Sequence, residues 1–86
     1  MKPATAHRGR VEASRDATAL ENRARLRALV LAAHAATADC VAVLRQPTAA
    51  LDLRALSAAL DTVVTAASRA RNRAVLDDRA EREADR

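Results

Sequence analysis

The 86-residue chain contains no Phe, Tyr or Trp, no Ile, one Gly, one Cys and one Lys. Without aromatic rings it has nothing on which a base can stack, which excludes sequence-specific reading of single-stranded nucleic acid. A single cysteine excludes an intramolecular disulfide and fits a reducing compartment, so a cytoplasmic location is expected. The lone glycine, Gly9, leaves no Gly-rich phosphate loop. The basic start, MKPATAHRGR, is followed by no apolar run, so no secretory signal is expected. Glycine and proline are also absent between Gly9 and Pro47 and after Pro47, leaving two long stretches that nothing interrupts.

Those stretches are filled with alanine. Half of the residues are apolar, but 24 are Ala, against ten Leu and seven Val. Alanine is the best helix former and contributes little area to a core. A monomer of this length and composition is therefore short of apolar surface to bury, and a homo-oligomer or an obligate partner is expected.

The clearest periodicity lies in residues 53–74. Leu53, Leu56, Leu60, Val63, Ala67, Ala70 and Ala74 alternate steps of three and four, the seam of a helix packed lengthwise on another helix. Asn22, Leu26, Leu29, Ala33, Ala36, Cys40 and Val43 repeat the spacing upstream. Pro47 forces its predecessor out of the helical region, so the chain is expected to fold back there. The fold class is all-α: an antiparallel two-helix hairpin that pairs into a dimeric four-helix bundle. Residues 1–13 read as a flexible basic arm. Helix 1 is expected over about 14–45 with Ser14 or Thr18 as its cap, and the turn over 46–48. Helix 2 is expected over about 49–80, capped by Thr48 or Asp52, with 81–86 a frayed charged tail.

Folding at Pro47 would set Val43 beside Leu53 and carry Leu26 and Leu29 to Ala70 and Ala67, bulky groups against methyl-sized ones. Between Ala28 and Leu44 only His34, Thr37 and Asp39 are polar, which places helix 1 at the centre of the assembly. Once the hairpin seam is covered, Val30, Leu31, Val41 and Leu44 remain and form the expected self-association interface. A membrane span over residues 28–44 is short and carries Asp39, a cost of about 3 kcal/mol at a bilayer centre, so no membrane association is expected.

The chain carries fourteen Arg, one Lys and eleven acids, a formal charge of +4. Arg in preference to Lys fits a GC-rich bacterial or phage genome. In the same register Arg23, Arg25 and Arg27 stand opposite Arg73, Arg71 and Arg69, crowding guanidinium groups at the open end. Guanidinium suits bidentate phosphate recognition, making these six a possible polyanion site. The plainer reading is a solvated face of arginine stems and i, i+4 pairs such as Glu21 with Arg25 and Asp78 with Arg82.

Cys40 falls on the seam and reads as a buried small hydrophobe; an interchain disulfide would need two copies to meet there. His34, with Val30 and Ala38 a turn away, has no second metal ligand, and His7 lies in the arm. Asp39 projects elsewhere than His34. No paired carboxylates, no Ser-His-Asp grouping and no room for a cavity point to catalysis, so neither enzyme activity, cofactor, metal nor small-molecule substrate is expected. The expected function is a small non-catalytic interaction or regulatory protein that self-associates and binds a partner protein. The alternative is nucleic-acid binding through the Arg-rich ends.

Overall fold

The computed structural model describes residues 3–85, the first ten through their backbone alone. Two helices account for nearly all of it: α1, Pro3–Val43, and α2, Leu53–Ala84. All long-range packing runs between them. The result is a flat rod 76 × 18 × 12 Å. All-helical hairpin architecture is thus as the periodicity indicates, while the helix boundaries and the register are not.

The helix α1 starts at Pro3 rather than near residue 14. Proline is well placed in a first turn because its missing N–H has no intrahelical partner there. The one glycine costs a helix only about 1 kcal/mol, which the alanine-rich flanks offset. Neither Ser14 nor Thr18 caps this helix. The Thr18 hydroxyl instead donates back to the Ser14 carbonyl at 2.9 Å, a mid-helix bond. At the other end α2 continues through Ala84, and the Asp85 N–H donates to the Glu81 carbonyl.

The turn occupies residues 44–52, three times the expected length. Pro47 sits at φ −55°, ψ 143°, extended as its ring demands, and Thr48–Ala50 form a single 3-10 turn. Helix 2 therefore begins late. Its cap is Asp52, whose carboxylate accepts from the backbone N–H of Arg54 at 3.0 Å and of Ala55 at 3.1 Å. The Gln46 side-chain carbonyl accepts from the Asp52 N–H and closes the turn.

On α1 every expected seam residue turns inward: Asn22, Leu26, Leu29, Ala33, Ala36, Cys40 and Val43, joined by Ala19 one turn earlier. On α2 the seam is rotated. Leu56, Val63 and Ala70 face α1 as expected, but Ala59 and Ala66 replace Leu60 and Ala67, and Arg73 and Asp77 continue the line. Size explains the rotation. Alanines on both helices let the axes approach closely, and leucine is displaced to the flank.

The register is displaced as well. Arg23 pairs with Glu81, eight residues beyond Arg73, its partner in the expected alignment. Carried along two antiparallel rods, this sets Val30 level with Ala74, Thr37 with Ala67 and Leu44 with Leu60. Leu26 and Leu29 thus stand about 12 Å along the axis from where they would meet Ala70 and Ala67. The longer turn supplies the slack. The shift is close to one heptad, so the inward face of α1 survives it unchanged.

Candidate interaction surface

Among the described residues the buried apolar ones are Ala36, Cys40 and Ala70. Ten larger ones, Leu20, Val30, Leu31, Val41, Leu44, Leu53, Leu60, Val64, Val75 and Leu76, keep 44% to 72% of their surface in solvent. Scattered exposed leucines are ordinary, but here the exposed aliphatics outnumber and outsize the buried ones.

Their distribution follows from the seam. With Ala19, Leu26, Ala33 and Cys40 as heptad position a, Val30 and Leu44 fall at e and Val41 at b. On α2, with Leu56, Val63 and Ala70 at a, Leu53 and Leu60 fall at e and Val64 at b. In an antiparallel pair the e flanks of the two helices lie on one side of the plane through both axes. Val30, Val41, Leu44, Leu53, Leu60 and Val64 therefore share one broad face of the hairpin, concentrated toward the turn. Leu31 does not join it. Consecutive residues are about 100° apart around a helix, so Leu31 points to the outer side of α1 while Val30 flanks the seam. Three of the four residues expected at a self-association interface are thus brought together. Leu53, Leu60 and Val64 complete the face. The heptad spacing alone conceals the first two, because it places Leu53 and Leu60 in the hairpin seam.

The open half of the rod is ionic. Asp77, 2% exposed, lies in the seam. Its Oδ1 accepts from Arg73 Nε at 2.9 Å, with Nη2 at 2.8 Å, while Oδ2 is buried without a hydrogen-bond partner. Arg23 Nη2 donates to Glu81 Oε2 across the helices at 3.0 Å. The second approach, Nη1 to Oε1 at 2.8 Å, is an ion pair out of hydrogen-bond alignment, and Oε1 itself is buried. The Glu81 hydrogen bond and charge, with a smaller contribution from Asp77, raise the Arg23 pKa above its usual value.

The two arginine triplets do not face each other. Arg23 is engaged by Glu81 and Arg73 by Asp77, and the displaced register carries the two runs apart along the rod. Arg25, Arg27, Arg69 and Arg71 are exposed. Cys40 is a free, buried thiol on the seam, and His34 and Asp39 are exposed. His7 lies where only the backbone is described. Among the described residues no group of three His, Cys, Asp or Glu could hold a metal ion. An open cleft of about 580 Å³ lies where α2 ends against α1, bordered by Ser14, Arg15, Asp16, Thr18, Arg23 and Glu81 among others. Residues Ala13–Val43 of α1 are long and apolar enough to cross a bilayer by length and composition, and little of that stretch is buried in the hairpin.

No protein-family model, curated protein or solved structure matches this chain.

Proposed function

We propose that the protein is a non-catalytic helical interaction module, one that self-associates and presents the resulting bundle to a partner protein. One observation carries this reading: among the described residues three small apolar residues are buried while ten large aliphatics keep 44% or more of their surface in solvent. A hairpin with so small a core gains most of its stability by covering that surface against another chain. Helical stability in water comes chiefly from packing of an apolar face, and here much of that face is open. Its setting is the cytoplasm, with no membrane and no small-molecule substrate involved.

The test is a melting series by circular dichroism across a hundredfold range of protein concentration, with light scattering at each point. A self-associating module melts higher as concentration rises and scatters at a multiple of 9.2 kDa. A folded 9.2 kDa species with a concentration-independent midpoint rejects the reading.

A further inference from the structure

We infer that the face made by Val30, Val41, Leu44, Leu53, Leu60 and Val64 is covered by a second copy of this chain lying alongside with its turn at the same end. This rests on the self-association reading and adds the face and the orientation.

The first argument is complementarity. In such a two-fold pair each α1 lies over the α2 of the other copy, antiparallel to it, and the levels within one hairpin are repeated across the interface. Leu44 then meets Leu60 of the partner subunit, and Val41 meets Val64 of the partner subunit. Smaller groups meet next, Thr37 against Ala67 of the partner subunit and Val30 against Ala74 of the partner subunit. Toward the open end Arg27 comes level, to within a residue, with Asp78 of the partner subunit. Arg23 likewise comes level with Glu81 of the partner subunit, so the same carboxylates that serve one hairpin extend a charge ladder to the next. Apolar meets apolar at the turn end and cation meets anion at the open end, with His34 level, to within a residue, with Arg71 of the partner subunit between the two zones. All neighbouring helices run antiparallel, the arrangement of an up-down four-helix bundle.

Area separates this orientation from its reverse. With turns at one end the copies overlap along the whole of α2. Its 32 residues span about 48 Å, and on an 18 Å width this gives a footprint of roughly 860 Å² per copy, near the 800 Å² a stable interface requires. With turns at opposite ends only the apolar half, from Val30 to the level of Leu53, can be shared. That overlap gives roughly 570 Å² per copy, below the stable range. It also leaves the charged halves without partners.

The experiment uses disulfide trapping in the full chain, with Cys40→Ala as background. Val41→Cys and Val64→Cys are prepared separately, one carrying a tag, then mixed and mildly oxidised. The expected product is the mixed disulfide between the two variants, with little of either symmetric one. Leu31→Cys, equally exposed but on the outer side of α1, is expected to stay reduced at the same concentration. Predominant symmetric disulfides mean the reverse orientation and overturn the inference while leaving self-association intact. Efficient trapping through Leu31→Cys identifies another face and overturns the inference in the same way. No trapping in any variant, together with a 9.2 kDa scattering mass, removes both the inference and the reading beneath it.

Discussion

The two halves of the hairpin are held by different forces. Near the turn, Ala33, Ala36, Cys40 and Val43 line the α1 side of the seam and Val63, Ala66 and Ala70 the α2 side, all methyl-sized or aliphatic groups. Toward the open end the α2 side becomes Arg73, Asp77 and Glu81, and Asn22 and Arg23 answer from α1. An aliphatic seam is stable in many alignments, because every heptad resembles the next. An ionic one is stable in few, because sliding the helices parts Glu81 from Arg23, the cation it meets on the other helix. The turn half supplies adhesion, and the open half supplies the choice of register.

This contrast is sharpest under charge insertion. Ala36→Asp is expected to destabilise the hairpin by about 3 kcal/mol or more, enough to abolish the cooperative helical melt, since nothing in the alanine seam can pair with a carboxylate. Charge removal at the other end is expected to do the opposite. Replacing the Arg73–Asp77 pair by Met and Leu together is expected to stabilise the chain by about 1 to 2 kcal/mol in urea melts, because Asp77 gives up a buried oxygen that has no partner. A loss of stability in that variant would show that the ionic half contributes adhesion too, and the contrast would dissolve. Asp52→Ala removes the cap of α2 and is expected to cost about 1 kcal/mol by the same assay. Arg23→Ala is expected to change the melting midpoint least, the pair being largely exposed. Its effect is expected in register, read as altered hydrogen-exchange protection between Ala70 and Ala84.

Residual affinity for polyanions is a separate check on the open half. Arg25, Arg27, Arg69 and Arg71 are spread along the rod, so binding to double-stranded DNA is expected to be weak and lost at physiological salt. Tight, sequence-tolerant binding with a steep salt slope, reduced when Arg69 and Arg71 are changed to Ala, would restore the nucleic-acid alternative.

Much of the architecture is legible in the residues. The α1 seam and the fold-back at Pro47 follow from local chemistry, which acts within a few residues; Thr48 and Asp52 are both possible caps, and the expected short turn corresponds to Thr48 where the structure uses Asp52. The register does not, because heptad spacing is unchanged by a slide of one repeat; only the length of the turn and a cross-helix pair, Arg23 with Glu81, distinguish one alignment from the next. The rotation of α2 is hidden for a similar reason. Ala59 and Leu60 flank the Leu56 and Val63 line on opposite sides, and which of them enters depends on how closely the axes approach, a property of both helices together. Asp77 is masked by its neighbour Asp78: either carboxylate could be a surface group, and only the rotated seam selects the one that is buried.

The pair Arg23–Glu81 bears on how this molecule tolerates change. Two alanine-lined rods are a smooth track, and this carboxylate with the guanidinium it meets on the other helix is the notch that stops travel along it. Additions or losses in the turn close to seven residues keep every side chain on its proper side and merely move the stop. Changes of three or four twist α2 off its footing, so the hairpin accepts alteration in whole strides and resists half ones.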